Sequence, residues 1–235
     1  MFSQMTRRLM MTKDSQATTN ETPGRSSGGN ASSRVYMDFW FLKLDPSFSL
    51  LQTNEKVVAR QEFLTTFDQF PHRLPISVYG LDGLNSESDL LIWRISPDLE
   101  DFHTMAVRLR RSGFGRYLIP TSSYTGSVPS ADYPFEPRDK GSKESAPIGN
   151  KRFLLIAPVS TEQAELLRGA TADGDDGQLH LMDCRGLDKP AFIAAYETDD
   201  ALGFGRLLNQ RIPNVNVPTT ACVRTDAADL IESAG

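Results

Sequence analysis

The chain has 235 residues, of which 39% are hydrophobic, and this content is sufficient for a real core in one or two domains. The formal net charge is −5 at pH 7 and no basic stripe interleaved with aromatic residues occurs, so nucleic acid is not an expected partner. No apolar run approaches the roughly 20 residues that a membrane-spanning helix needs, so no membrane is expected either.

The N-terminal part, residues 1–34, is rich in Ser, Thr, Asn and Gly, and this composition predicts a disordered tail. The stretch that follows, residues 35–128, alternates apolar strands with amphipathic helices. Its predicted elements are a strand at 35–42, a helix at 54–70, strands at 74–81 and 89–95, a helix at 97–111 and a strand at 117–127. This β-α-β-β-α-β order is the ferredoxin-like motif, so we expect residues 35–128 to form a first half.

The two helices of this half have recognisable ends. The first stops before Pro71, because proline disfavours a helical conformation in the residue that precedes it. Its apolar residues at helical spacing are Val57, Val58, Phe63, Leu64, Phe67 and Phe70. For the second helix, Ser96 is a candidate N-cap with Pro97 at the first helical position, and Gly113 marks the end.

A linker is predicted at residues 129–150, which carry four prolines and a polar Gly-Ser-Lys-Glu-Ser segment. Residues 151–235 then repeat the first half with a shortened first helix. The predicted elements of this second half are a strand at 153–159, a helix at 162–168, strands at 179–184 and 192–196, a helix at 201–210 and a strand at 217–224.

An internal repeat supports the two halves. Gly83-Leu84 and Gly186-Leu187 each open a stretch of turn glycine, apolar strand, acidic turn and amphipathic helix, at the offset 186 − 83 = 103. This offset pairs Trp93 with Tyr196, and Leu99 with Leu202. A repeat of this length is typical of two copies of one supersecondary unit. The predicted fold class is therefore α+β, with two tandem ferredoxin-like βαββαβ halves of the dimeric α/β-barrel type.

Several segments of the first half resemble the chlorite dismutase and coproheme decarboxylase superfamily. They are Phe41-Leu-Lys-Leu-Asp-Pro, Leu81-Asp-Gly-Leu, Ser88-Asp-Leu-Leu-Ile-Trp-Arg, Gly115-Arg-Tyr-Leu and the stretch from Ser123 to Tyr133. The resemblance implies paired ferredoxin-like halves, haem or coproheme bound in the second half, peroxidase or coproheme decarboxylase chemistry, and a homo-oligomer. The two cysteines are too few for a disulfide framework and fit a reducing compartment, so a cytoplasmic protein is expected.

The family's functional positions are occupied by other residue types here. The Tyr-Pro-Met-x-Lys segment of the decarboxylases, with its catalytic tyrosine and propionate-binding lysine, matches residues 157–161, which read Ala-Pro-Val-Ser-Thr. The distal arginine of the dismutases matches Leu179. The iron-binding histidine of the family lies on the helix between these two strands, but no histidine occurs between Thr161 and Leu179. The interval from Leu44 to Gly83 spans 39 residues and its counterpart only 27, so this helix is expected to be about three turns shorter.

These differences suggest that the haem site has been abandoned or rebuilt. Strand alternation places His180, Met182 and Cys184 on one face, and all three side chains can ligate iron, so they are candidate cofactor-binding residues with His180 as a replacement axial ligand. The alternative is a half-buried strand with a tolerated histidine. No preformed metal site is expected.

Two interpretations of function remain open. One is a haem- or porphyrin-dependent oxidoreductase, and the other is a haem-free scaffold or small-molecule-binding pseudo-enzyme of the same fold. Four basic residues lie at the end of the second helix or just beyond it, where positive charge is favourable to the helix dipole. The alternative is a contact with a phosphate or a propionate. These residues are Arg108, Arg110, Arg111 and Arg116. His72 and His103 are expected at the surface, and Trp40 and Trp93 in the core.

Overall fold

The computed structural model describes residues 34–71, 74–133, 148–170, 176–213 and 215–233. The predicted N-terminal tail, His72 and most of the predicted linker therefore lie outside the described residues. The described residues belong to one compact unit, Ser32–Gly235. Among them, no helix is both long and apolar enough to cross a membrane.

The first half contains four strands and two α-helices in the predicted order. They are β1 (Arg34–Leu44), α1 (Thr53–Phe67), β2 (Ile76–Gly80), β3 (Leu90–Ser96), α2 (Leu99–Arg111) and β4 (Leu118–Pro129). A short 3-10 helix, Pro46–Leu50, precedes α1. The second half repeats this order with β5 (Phe153–Val159), α3 (Thr161–Leu167), β6 (Gln178–Asp183), β7 (Phe192–Thr198), α4 (Gly203–Arg211) and β8 (Thr220–Thr225). A last helix, α5 (Ala227–Ser233), was not predicted from the sequence.

The eight strands form one closed antiparallel barrel in the order β1-β3-β2-β8-β5-β7-β6-β4. The two four-stranded sheets meet edge to edge at two seams, where β2 pairs with β8 and β4 pairs with β6. Closure satisfies the backbone groups that an open sheet leaves unpaired at its edges. The predicted α+β fold class, with tandem ferredoxin-like halves, is confirmed.

The core has three layers because each sheet is buried on both faces. One apolar cluster fills the barrel interior, including Phe39 and Trp93. A second lies between the first sheet and its helices, including Trp40 and Phe63. A third lies between the second sheet and α3 and α4. All seven residues of β3 and of β7 are buried, as expected for central strands covered on both sides.

The structure contains the predicted repeat, but the predicted offset of 103 residues does not hold for the strands that follow the turn. Gly83 and Gly186 both have positive φ angles, +73° and +82°, and they are equivalent at offset 103. The turn of the second copy is one residue shorter, so β3 and β7 start 102 residues apart (192 − 90 = 102). Side chains alternate along a strand, so offset 103 compares opposite faces. The equivalent of Trp93 is therefore Ala195, which also faces the interior, and not Tyr196.

Two local predictions about helices need correction. Val57 and Val58 do not face the core; each is 58% exposed, and Ala59, Phe63 and Phe67 are the buried residues of α1. The N-cap of α2 is Asp98, whose carboxylate accepts a hydrogen bond from Glu100 N at 2.9 Å, rather than Ser96. Two apolar residues exposed on a helix cost little stability, because such residues are common on protein surfaces. An aspartate directly before a helix caps it as well as a serine does.

The first helix of the second half is shorter than its counterpart in the first half, by fewer turns than the expected three. Helix α3 has 7 residues and α1 has 15, a difference of about two turns. The remaining difference between the two intervals includes the 3-10 helix that precedes α1.

Candidate functional site

The predicted ligand residues lie on the inner face of β6. His180, Met182 and Cys184 are all buried, and Met182 and Cys184 belong to the cluster that fills the barrel. The shared face predicted from strand alternation is confirmed by this burial pattern. It faces away from α3, which packs on the opposite side of the second sheet. Their role in cofactor binding stays a prediction.

Both ring nitrogens of His180 are engaged in hydrogen bonds. Nδ1 pairs with the hydroxyl of Tyr133, which follows β4. Nε2 lies 3.2 Å from Oε2 of Glu197 on β7. The edge of the imidazole also contacts the ring of Trp93, with centroids 5.0 Å apart. The histidine is therefore fixed by partners from three separate strands or loops.

The carboxylate of Glu197 is the centre of this network. Its Oε1 accepts hydrogen bonds from the Tyr79 hydroxyl at 3.3 Å and from the backbone N–H of Asn150 at 3.0 Å. A carboxylate that is buried needs such partners, because removing it from water without them is costly. With His180 included, donors from β2, β6 and the residues before β5 converge on one side chain.

The tyrosines donate their protons within this network. Burial raises the pKa of the Tyr133 hydroxyl, and burial together with the Glu197 carboxylate raises the pKa of Tyr79. Both phenols therefore stay protonated near neutral pH. In the tautomer with the hydrogen on Nε2, His180 donates to Glu197 and its Nδ1 accepts from the Tyr133 hydroxyl. We refer to Tyr79, Tyr133, His180 and Glu197 as the interior network.

The two thiols beside the network are poor metal ligands. Burial, followed by the charges of Asp188 and Asp183, raises the pKa of Cys184 to about 12, and burial alone raises that of Cys222 to about 12. Thiolate is the form that ligates metals. Among the residues that the structure describes, no group of three or more His, Cys, Asp or Glu side chains is arranged to hold a metal ion.

The outer face of the second sheet is covered by packed apolar side chains. Tyr196 stacks on Phe204 of α4 with ring centroids 5.5 Å apart, and both are buried together with Leu207. Ala164 and Leu167 of α3 pack in the same layer, on the same face of the sheet. We call this group the second helix layer.

Sequence reasoning missed Glu197, Tyr79 and Tyr133 as partners of His180. A signal was present for Glu197, because it is the one acidic residue in the otherwise apolar stretch Phe-Ile-Ala-Ala-Tyr-Glu of β7. The two tyrosines lie in a strand and in a turn, where their sequence context fits an ordinary core residue as well as a hydrogen-bond donor. His103 is exposed, as predicted, and Trp40 and Trp93 are buried, as predicted.

A comparison with known protein families identifies one that matches this chain. The family model described as "Chlorite dismutase" matches residues 34–164, which is more than half of the chain. The chain belongs to the chlorite dismutase family. The match begins with β1 and runs through β5 into α3.

Relatives within the chlorite dismutase family are distant. Coproheme decarboxylase from Staphylococcus carnosus is 23% identical over 93 residues, which is 37% of this chain and 36% of that protein. The chlorite dismutase of Candidatus Nitrospira defluvii in complex with imidazole superimposes with a TM-score of 0.63 at 20% identity, covering 84% of this chain and 94% of the other. A heme-binding protein from Thermus thermophilus gives a TM-score of 0.64 at 17% identity, covering 82% and 92%.

Three residues at positions compared with the family motifs lie on the outer face of the second sheet. Ala157 and Val159 on β5 lie in the second helix layer, and Leu179 on β6 packs against it. Helix α3 covers the same face. Ala157 and Leu179 therefore lie on the same face of the second sheet, whereas Thr161, at the position of the lysine, is the exposed first residue of α3.

Proposed function

We propose that this chain is a haem-free member of the chlorite dismutase family, which keeps the fold as a scaffold for assembly or small-molecule binding. The observation that carries the proposal is the second helix layer. Tyr196, Phe204 and Leu207 are fully or almost fully buried where a porphyrin would have to enter between sheet and helix. A packed layer has no room for a large planar ligand unless these side chains are displaced.

The donor set of this layer supports the same conclusion. A haem site needs an axial donor and charged or hydrogen-bonding partners for the propionates. The apolar and aromatic members of the layer offer no donor to iron, Arg152 and Arg185 lie over the rings of Phe153 and Phe192, and no histidine occurs between Thr161 and Leu179. The residues present do not fit a haem group, so no catalytic step through iron is assigned to this chain.

A replacement site at His180 is the second candidate, and family membership favours it. In that case the chain is a haem-dependent oxidoreductase of the peroxidase or coproheme decarboxylase type, with His180, Met182 and Cys184 on the binding face. Such a site requires His180 to release Tyr133 or Glu197. Leaving a buried carboxylate without its partner costs several kcal/mol, so we place this candidate second.

Titration of haem and coproheme, followed by absorption spectroscopy, tests the proposal. We expect no stable histidine-ligated Soret band and affinity at least on the order of a hundredfold weaker than that of a haem-binding relative measured in parallel, since two charge-assisted hydrogen bonds are missing. A tight one-to-one complex would overturn the haem-free proposal. Loss of that complex in His180→Ala would then identify the replacement ligand, and its survival would exclude His180.

A further inference from the structure

The barrel interior holds a tyrosine, a histidine and a glutamate that hydrogen bonds join in one line. The Tyr133 hydroxyl meets Nδ1 of His180, and Nε2 of the same ring lies 3.2 Å from Oε2 of Glu197. Tyr133 is 5% exposed, and His180 and Glu197 are each 1% exposed. Because water has almost no access to these groups, the imidazole is the base that can take a proton from the tyrosine hydroxyl.

The donors that the structure shows for the Glu197 carboxylate are neutral groups. They are the Tyr79 hydroxyl, the backbone N–H of Asn150 and, in the tautomer with the hydrogen on Nε2, the imidazole of His180. A carboxylate away from water is stabilised strongly by a positive charge beside it. A proton that arrives at Nδ1 supplies that charge, and the carboxylate then stabilises the imidazolium, as the buried aspartate of a serine protease triad does.

Loss of one electron from tyrosine is the event that this arrangement favours. A phenol that loses an electron and keeps its proton carries a positive charge, which is costly away from water. If the proton moves to Nδ1 in the same step, the phenoxyl group is left neutral. The positive charge then forms on His180, next to the Glu197 carboxylate. The line therefore lowers the cost of oxidising Tyr133 by one electron.

Two other oxidisable rings lie beside the line, but their N–H or O–H groups have less suitable bases. The Tyr79 hydroxyl donates to Glu197 at 3.3 Å, and a carboxylate is a weaker base than an imidazole. The centroid of the Trp93 ring lies 5.0 Å from that of His180. Its buried Nε1 has no hydrogen-bond partner among the residues that the structure describes. Tyr133 is therefore the ring on which the oxidised state is most stable.

We propose that Tyr133 is a redox-active tyrosine, which a one-electron oxidant converts reversibly into a neutral phenoxyl radical while His180 accepts its proton. In the forward step the O–H bond of Tyr133 breaks, the electron reduces the oxidant and the proton binds Nδ1 of His180. In the reverse step a one-electron reductant returns the electron, and the proton moves back from Nδ1 to the phenoxyl oxygen. The oxidant is a radical or a metal complex that accepts one electron.

The site is independent of haem and needs no substrate cavity, since electrons transfer between groups that are not in contact. Tyr133 follows the exposed residue Asp132 just beyond β4 and packs in the barrel interior. Ala157, at the position of the decarboxylases' tyrosine, lies on the outer side of the second sheet instead. Haem titration does not test this inference, so it and the haem-free proposal fail or succeed separately.

Flash photolysis of the full chain without added haem tests the proposal, with tris(bipyridine)ruthenium and persulfate generating the one-electron oxidant. We expect a phenoxyl signal in transient absorption and electron paramagnetic resonance spectra, which ascorbate removes without a covalent change in the chain. Tyr133→Phe should lose most of this signal. Tyr196→Phe is the matched control and should keep it, because Tyr196 is fully buried but lies on the opposite face of the same sheet.

The part of His180 is tested by the rate at which the radical forms. Formation in the unaltered chain should be slower in heavy water, since a proton moves with the electron. His180→Gln keeps a hydrogen-bonding side chain but removes the base, so it should slow formation and abolish this isotope effect. Circular dichroism checks that the variants are folded.

Three results would each overturn the proposal. They are a signal that persists in Tyr133→Phe and disappears in Tyr79→Phe, a rate that His180→Gln leaves unchanged, and a rate in the unaltered chain that is the same in both solvents. The last result requires no variant, so a substitution that prevents folding does not remove the test.

Discussion

Ile95 and Glu197 occupy equivalent positions of the repeated central strand, 102 residues apart, and both point into the barrel. The first half therefore has an apolar side chain where the second has a buried carboxylate. The carboxylate is accommodated because Tyr79 of the first half and His180 of the second both donate to it. One substitution between the repeats thus links the two halves through polar contacts inside the barrel.

The interior network should be important for stability. Glu197→Ala leaves His180 and Tyr79 without their acceptor, and we expect it to lower the free energy of unfolding by about 3 kcal/mol or more. Urea denaturation followed by circular dichroism measures the change. Glu165→Ala is the matched control, because the pair of Glu165 with Arg168 is exposed, and we expect it to change stability much less than Glu197→Ala does. Equal effects of the two variants would contradict the role assigned to the network.

The buried thiols predict a pH dependence. Folding raises the pKa of Cys184 and of Cys222 from 9.0 to about 12, so the folded state holds these protons more tightly than the unfolded state. Their stabilising contribution is therefore complete below pH 9 and is lost as the pH rises toward 12. Iodoacetamide near pH 9 should leave both thiols unmodified in the folded protein and modify both in concentrated guanidinium. Rapid labelling of the folded chain would refute this assignment.

The buried ion pair of the first half supplies a third test. Asp38 and Arg94 form a salt bridge on the helix side of the sheet, and the Thr125 hydroxyl donates to the same carboxylate at 2.8 Å. Asp38→Ala leaves the arginine charge buried and unpaired, so we expect a loss of about 3–5 kcal/mol. The double variant Asp38→Leu, Arg94→Met should be more stable than the single one, since both charges are removed together. A double variant less stable than Asp38→Ala would argue against this explanation.

Glycine substitutions should separate two kinds of turn. Gly149 has a φ of +75°, and a Cβ there would lie 1.8 Å from Oγ of Ser77. Gly83 has a φ of +73°, but a Cβ there meets nothing within 4 Å. We therefore expect Gly83→Ala to cost about 1–2 kcal/mol for its backbone conformation alone, and Gly149→Ala to cost clearly more because of the added clash. Thermal melting of the two variants side by side measures the difference, and the opposite ranking would be inconsistent with the packing described.

Periodicity and turn residues were sufficient to predict the order of the eight strands and of helices α1 to α4, because each of these elements has its own apolar pattern. The turn glycines Gly83 and Gly186 were also identified, since both positions require a positive φ. The joining of the two sheets was not predicted, because β2–β8 and β4–β6 pairing depends on long-range geometry rather than on local pattern. The offset error had a physical cause as well: a turn one residue shorter changes the face of every following side chain.

For the candidate site, sequence alone placed His180, Met182 and Cys184 on one face, because alternation is a local property of a strand. It could not tell whether that face met the helices or the barrel interior. That distinction depends on which neighbour covers each face. The hydrogen-bond partners of His180 come from segments as far as 47 residues away, so no local pattern joins them.

The two seams of the barrel have a consequence for chains cut between the halves. A fragment that ends after β4 would present β2 and β4 as free edges, and the complementary fragment would present β6 and β8. Each edge is a template for its missing neighbour. Fragments produced separately should therefore recognise each other through main-chain hydrogen bonds, and the complementary Tyr79 and Glu197 would rejoin in the reconstituted interior.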